Sequence, residues 1–233
     1  GLEILNPNFV LSQMSLAETG ALGYFSEEFN IPSMLISHGS HVIHKERSSM
    51  NEHKFLAKNV LVGGYRFLGV QSPSSKKMAE NLVKKNKKIV NLFPTIWGRS
   101  IKKYSKRNFT VVYANSFKEP KRFMYETIDE FVATIGALVN TLSNKKGIKL
   151  IIKFRESSEL SKNCLLNLLP RLPKNVVLET ELPMYEVLKK TNLLISYSST
   201  VIEEALVNQI PVLLYGSQSR YKHIEVPSFN KKD

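Results

Sequence analysis

One cysteine, Cys164, is present in 233 residues, which excludes an internal disulfide framework and is typical of a reducing compartment. It lies in an apolar stretch with a helical pattern, which indicates a buried structural thiol rather than a nucleophile. No window reaches the ~18 uninterrupted apolar residues of a membrane span, and no charged-then-apolar secretory signal opens the chain. We therefore expect a cytoplasmic protein.

Two phosphate-binding fingerprints are also missing. The chain has no G-x-G-x-x-G and no G-x-x-x-x-G-K-[ST], which counts against a dinucleotide oxidoreductase and a P-loop NTPase. A nucleotide or other phosphate ligand would therefore have to bind through a different arrangement.

Acidic residues are scarce: 20 oppose 33 lysines and arginines, for a formal net charge of +13. The excess is concentrated in a segment that we call the basic stretch, where only Glu80 and Glu119 oppose fourteen bases: Lys76, Lys77, Lys84, Lys85, Lys87, Lys88, Arg99, Lys102, Lys103, Lys106, Arg107, Lys118, Lys121 and Arg122. Such a surface suits nucleic-acid phosphates, anionic lipid headgroups or a lipid-linked pyrophosphate acceptor, or solvent alone. Of these partners we expect peripheral association with the inner membrane face rather than nucleic acid.

Apolar strand-like runs alternate with helical patterns along most of the chain, which predicts βαβ crossovers and parallel sheets. The first half begins with a predicted strand over Ile4–Ser12 and a helix over Ser15–Asn30 capped by Ser15. The alternation predicts an α/β protein with two Rossmann-like halves, residues 1–98 and 109–233, joined by a linker at 99–108. The first half is short of strands, so we expect a partial chain or a compact relative. The residues after Gly216 predict a partly ordered polar tail.

The segment Asn192–Gly216 carries the strongest functional signal. An apolar strand ends in the hydroxyl row Ser198, Ser199 and Thr200, which opens a helix that carries Glu203 and Glu204. Backbone N–H groups and short hydroxyls at a helix N-terminus favour a phosphate, and an acid one turn later suits a sugar hydroxyl. The alternative is an ordinary helix cap, with the acids at the favourable helix end.

Three further polar clusters follow predicted strands, where ligands sit in open parallel sheets. His38, Gly39 and Ser40 follow the strand Ile31–Ser37. His38 suits a general base, and acceptor or anion contact is expected of Gly39, Ser40, His41, His44 and Lys45. The H-x-x-H-x-x-H spacing would suit metal ligands on a helix, but this segment predicts a loop, so we expect no metal. The other two clusters predict donor contacts: Lys153 with Arg155, and Asn115 with Ser116. For each cluster, ordinary polar residues at the end of a strand are the alternative.

Two of these segments resemble bacterial glycosyltransferases of the GT-B fold that build surface polysaccharide. Ile31–Gly39 is similar to their "IP-apolar-HG" strand and turn, and Asn192–Gly216 is similar to their "S-S-x-x-x-E-A-L" element. This group includes CDP-glycerol glycerophosphotransferases and CMP-Kdo or sialic acid transferases. The resemblance implies that the serines contact the donor phosphate, that an acid lies near the nucleotide sugar, and that His38 is the candidate base. Many relatives carry His-Pro after the second C-terminal strand, where this chain has Lys153-Phe154-Arg155-Glu156.

The resulting hypothesis is transfer of a sugar or polyol-phosphate from a CMP- or CDP-type donor to a surface glycan or lipid-linked acceptor, as in capsule or cell-envelope synthesis. We expect neither cofactor nor metal, since side chains and helix ends can do the electrostatic work. Two alternatives remain: a non-catalytic glycan- or nucleic-acid-binding module, and an epimerase of the UDP-sugar type.

Overall fold

The computed structural model describes residues 2–37, 39, 41–44, 47–83, 87–92, 101, 108–115, 117, 125–216, 222–224 and 226–229. The chain divides into two compact units, residues 1–96 and 97–233. The predicted linker at 99–108 lies outside the described residues except for Ile101 and Asn108. Within the described part, no helix is long and apolar enough to cross a membrane.

The first unit is a four-stranded parallel sheet in the order β1-β2-β3-β4, with helices between the strands. Its elements are α1 Leu2–Leu5, β1 Val10–Ser12, α2 Ala17–Glu28, β2 Ser33–Ile36, α3 Arg47–Leu61, β3 Phe67–Val70, α4 Pro73–Leu82 and β4 Lys88–Asn91. Leu35, Leu61, Leu68 and Met78 are buried in its core. Ser72 caps α4 by accepting the backbone N–H of Ser75 at 3.2 Å, with Pro73 at the first helical position, where its missing N–H costs nothing.

Two sequence predictions at the start of this unit are wrong in detail. The strand predicted over Ile4–Ser12 is instead the short helix α1 followed by the three-residue strand β1. The helix α2 is not capped by Ser15, because the Thr19 hydroxyl accepts the Leu16 N–H at 3.1 Å and closes the first turn.

The second unit is a five-stranded parallel sheet in the order β7-β6-β5-β8-β9. Its elements are β5 Phe109–Ala114, α5 Ile128–Leu142, β6 Ile148–Lys153, α6 Lys162–Leu168, β7 Val176–Glu179, α7 Met184–Leu188, β8 Leu193–Ser196, α8 Val201–Val207 and β9 Val212–Leu214. Thr127 and Glu130 form a reciprocal capping box at the start of α5, the arrangement that satisfies two free N–H groups at once. The predicted α/β class with parallel Rossmann-like sheets is confirmed.

Both faces of this second sheet are covered by apolar side chains. Val111 and Tyr113 of β5 pack with Phe131 and Ile135 of α5 on one face. Val112 and Ala114 pack on the other face with residues that include Ile202 of α8. Because successive strand residues point to opposite faces, a continuous apolar run such as β5 requires helices on both sides.

The prediction for Cys164 is wrong, since its side chain is exposed on α6. Leu165, the next residue, takes the core position instead. A short helix with an apolar pattern on most sides does not reveal which of two adjacent residues faces inward.

The basic stretch is described only in part, because ten of its fourteen bases lie outside the described residues. Lys76 lies 3.9 Å from Glu80, and Lys87 lies 3.4 Å from Glu27. Ion pairs at the protein surface contribute about 0–1 kcal/mol each. Membrane association of this stretch therefore stays a prediction.

Candidate functional site

The candidate site lies at the carboxyl ends of β5 and β8. These two neighbouring strands mark the point where the strand order of the second sheet reverses. Open parallel sheets bind ligands in the crevice at this point. Asn115 follows β5 directly, and Ser198 lies two residues after β8. The fold thus brings together two of the predicted donor-binding residues that are 83 positions apart in the chain.

A buried hydrogen-bonded chain connects these two residues with a third. Asn115 Oδ1 accepts the backbone N–H of Ser198 at 3.2 Å and the Ser198 hydroxyl at 3.1 Å. On its other side, Asn115 Nδ2 donates to the Glu126 carboxylate. Asn115 and Ser198 are 5% exposed and Glu126 is 1% exposed, so these bonds form out of water, where they are strong and their loss is costly. No sequence motif pointed to Glu126.

These contacts fix what Ser198 can offer a ligand. A backbone N–H only donates, so the atom of Asn115 that faces it must be the carbonyl oxygen. The Ser198 hydroxyl proton points to the same oxygen, because two acceptors cannot bond each other. Ser198 therefore presents only oxygen lone pairs to its other neighbours, and its predicted contact with the donor phosphate stays a prediction.

Ser199 and Thr200 are the two hydroxyl residues of the row that are partly exposed. Ser199 Oγ accepts the Val201 N–H in a long contact of 3.4 Å, and Thr200 precedes α8 without a capping bond from its own side chain. Both hydroxyl protons are thus available to an acceptor. Since α8 has only seven residues, the hydroxyls rather than a long helix dipole would supply most of the attraction for an anion.

The two predicted acids have different surroundings. Glu203 Oε1 lies 2.6 Å from His223 Nε2, in a pair whose side chains are 10% and 2% exposed. The backbone N–H of His223 also donates to the Tyr197 carbonyl at 2.9 Å. Glu203 therefore holds residues 222–224 against the end of β8, in the region that the sequence predicted to be a tail. Its predicted contact with a donor sugar stays a prediction.

Within the part of the chain that the structure describes, Glu204 forms no ion pair of this kind, and burial raises the pKa of its carboxyl above the ordinary value. Burial disfavours the charged form of a carboxyl. A carboxyl of this kind is suited to hydrogen bonding with a neutral hydroxyl rather than with a phosphate.

Replacing His223 with alanine is expected to destabilise the attachment of residues 222–224 by about 1–3 kcal/mol, because the largely buried Glu203 carboxylate loses this donor. His223→Gln retains an N–H donor and should lose less. Hydrogen exchange at the amides of His223 and Ile224 measures the effect. Exchange in His223→Ala as slow as in the wild type would show that the pair does not hold this segment.

The predicted cations after β6 lie at the same edge of the sheet. Lys153 is paired in register with Ala114 of β5 and Glu179 of β7, and its Nζ donates to the Thr180 carbonyl at 2.8 Å. Burial lowers the pKa of Lys153, while the Glu179 carboxylate acts in the opposite direction. Arg155 is exposed. Lys153 is thus tied to the neighbouring loop, and Arg155 is the cation free to reach solvent-borne ligands. Ser116 lies outside the described residues.

In the first unit, the predicted residues His38, Ser40 and Lys45 lie outside the described residues, and Gly39 is buried. His41 and His44 are described, and both rings pack on His53 of α3, with ring centroids 5.3 and 5.0 Å apart. The His41 N–H donates to Ser75 Oγ at 2.9 Å. No group of three His, Cys, Asp or Glu side chains within the described ranges is placed to hold a metal ion.

No protein-family model and no curated protein sequence matches this chain, but solved structures do. TarM matches with a TM-score of 0.54 at 14% identity, over 98% of this chain and 46% of that one. The glycotransferase of kitacinnamycin matches with a TM-score of 0.52 at 13% identity, over 93% and 59%. The fold is GT-B-like.

The GT-B-like fold is shared by enzymes of another class. The UDP-N-acetylglucosamine 2-epimerase from Rickettsia bellii matches with a TM-score of 0.53 at 13% identity, over 91% of this chain and 57% of the epimerase. The chain thus spans about half the length of these three structures. The resemblance to GT-B glycosyltransferases is therefore confirmed at the level of the fold.

Proposed function

We propose that this GT-B-like chain binds a nucleotide-linked donor at the ends of β5 and β8 and takes part in glycosyl or polyol-phosphate transfer. The observation that carries the proposal is the hydroxyl pair Ser199 and Thr200 at the strand-order reversal, held next to the buried Asn115–Ser198 contact. A CMP- or CDP-type donor, and a surface glycan or lipid-linked acceptor, are the finer parts of the proposal. They rest on the resemblance of Ile31–Gly39 and Asn192–Gly216 to that group.

Each site residue is assigned to the part of the donor that its side chain is suited to contact. Ser199 and Thr200 donate to the phosphate, and Arg155 neutralises charge that develops on the leaving nucleotide. Glu204, a partly buried acid in the first turn of α8, meets a sugar or ribose hydroxyl. A base, proposed to be His38, takes the acceptor proton while the acceptor oxygen forms a bond to the transferred group. The bond from that group to the nucleotide phosphate breaks, and the phosphate oxygen keeps the electron pair.

An epimerase-like activity is the second candidate, because the match to the Rickettsia bellii enzyme is as close in fold as the matches to transferases. The two candidates differ in the need for an acceptor. A transferase releases little nucleotide from a nucleotide sugar alone, whereas an epimerase converts the sugar without any acceptor.

Nucleotide binding is tested by thermal shift with CMP, CDP, UDP and GDP. A nucleotide at one hundred times its Kd should stabilise the protein by about 2.7 kcal/mol and raise the Tm by several degrees. The double variant Ser199→Ala/Thr200→Val should bind about tenfold more weakly or worse, since hydrogen bonds to charged groups contribute about 1.5–3 kcal/mol each.

The matched control is Ser74→Ala/Thr141→Val, which removes the same two hydroxyl types from exposed positions on α4 and α5 and should bind like the wild type. If no nucleotide raises the wild-type Tm, the proposed function is wrong. If a nucleotide does so equally for the site variant and the control, the donor phosphate binds elsewhere.

A further inference from the structure

Glu126 is the most deeply buried acid of the candidate site, and no motif pointed to it. It lies just before the cap of α5 and forms an isolated parallel bridge with Phe117, in the segment that follows β5. Its carboxylate accepts from Asn115 Nδ2. Burial raises the pKa of both Tyr113 and Tyr215, and the charge on Glu126 raises both further. The Glu126 carboxylate therefore acts on Tyr113 in β5 and on Tyr215, which follows β9.

The Asn115 amide lies between the Glu126 carboxylate and Ser198 and bonds to both. An ionised carboxylate only accepts, so it selects the Asn115 rotamer in which the NH₂ group faces Glu126. The carbonyl then faces Ser198, whose N–H requires an acceptor. In the reversed rotamer, the carbonyl would face the carboxylate and the NH₂ would face an N–H.

We propose that Glu126 is a positioning residue that acts through Asn115: it fixes the amide rotamer, directs both Ser198 donors inward, and so divides the site into two subsites. The inference rests on the proposed function, because it assumes that the hydroxyl row meets a nucleotide. At Ser198 the site offers only acceptor lone pairs, so the ligand group there is a donor such as a sugar hydroxyl or a base N–H. The phosphate lies at Ser199 and Thr200.

The test exchanges the amide of Asn115 and the carboxylate of Glu126 between the two positions. Asn115→Asp places two carboxylates in contact in a buried site, so the Ser198 amide should exchange with solvent at least tenfold faster and nucleotide Kd should rise at least tenfold. Glu126→Gln should cause a smaller loss, because its amide must turn its carbonyl towards Asn115. In Asn115→Asp/Glu126→Gln the glutamine NH₂ donates to Asp, whose other oxygen accepts from Ser198. Both measured quantities should return to within about threefold of the wild type.

The matched control is Asn115→Asp/Asp129→Asn, which has the same net charge as the exchanged pair but removes the charge at an exposed position in the first turn of α5. It should remain as impaired as Asn115→Asp alone. Exchange at the β6 amides of residues 150–152 reports any general loss of stability, and Ser198 exchange is read relative to it.

The outcomes separate the inference from the proposed function. Additive losses in the exchanged pair, or equal recovery in the Asp129→Asn control, would overturn the positioning role of Glu126. If no nucleotide binds the wild type, the proposed function fails, whereas the exchange rates at Ser198 still decide whether Glu126 fixes the Asn115 rotamer. Recovery of exchange without recovery of Kd would overturn the division into two subsites.

Discussion

Replacing Phe131 with alanine is expected to lower the free energy of unfolding of the second unit by about 3–5 kcal/mol. The Phe131 side chain is 0% exposed. Its ring lies 5.8 Å from that of Tyr113, 5.4 Å from that of Phe117 and 6.2 Å from that of Phe154. Truncation thus removes one ring from contact with three others, at distances where aromatic pairs attract each other beyond their buried area.

The measurement is hydrogen exchange at the β5 and β6 amides, which reports the second unit alone. Phe109→Ala is the matched control, because Phe109 starts β5 and its side chain is 49% exposed. Surface substitutions of this kind change stability by about 0.5 kcal/mol or little more. If both variants lose the same amount, Phe131 is not at the centre of the core of the second unit.

The strands of the second sheet were predictable because they are buried on both faces. Strands β5 and β8 each occupy an apolar run that is preceded by asparagine, and a fully buried parallel strand is expected to be such a run bounded by polar residues. The start of the first unit was not predictable in this way. Leu11 in β1 is exposed, whereas Leu2 packs against the core. The position of an apolar residue in this part of the sequence therefore does not show whether its side chain is buried.

The site was predictable where its residues follow strands and not where they arrive from elsewhere in the chain. Asn115 and Ser198 were identified because the carboxyl ends of parallel strands share one edge. Glu126 and His223 lie in no strand and carry no local signal. Glu126 bonds to Asn115, and His223 bonds to Glu203. Such pairings depend on tertiary structure, so they could not be predicted from a single sequence.

The pairing of Glu126 with Asn115 also changes how the hydroxyl row is understood. The sequence predicts that all three adjacent hydroxyls contact the donor phosphate. The buried amide commits the Ser198 hydroxyl to the protein, so the donors differ by position. Whether a hydroxyl can donate to a ligand thus depends on whether it already donates to another group of the protein.

Replacing Gly64 with alanine is expected to destabilise the first unit by about 3 kcal/mol, the upper end of the usual cost of overpacking. A Cβ at this position would lie 2.5 Å from the backbone nitrogen of Tyr24 and 2.6 Å from the carbonyl carbon and oxygen of Gly23. These are backbone atoms of α2, so no side chain can rotate away and the helix itself must move. That movement would also disturb Tyr65, whose ring packs directly on Gly23.

Gly136→Ala is the matched control, because no atom of the described residues, apart from the adjoining backbone of α5 itself, lies within 4 Å of a Cβ at this position. Alanine in a helix interior is favoured over glycine by about 0.5–1 kcal/mol, so the same substitution should stabilise the second unit. Hydrogen exchange at β2 and β3 amides for the first variant, and at β5 and β6 amides for the second, measures the two effects separately. The changes in stability are expected to have opposite signs, because a Cβ at Gly64 would collide with the backbone of α2, whereas a Cβ at Gly136 would meet no described neighbour outside α5. Unchanged exchange in Gly64→Ala would mean that α2 does not approach the turn before β3 as closely as the structure places it.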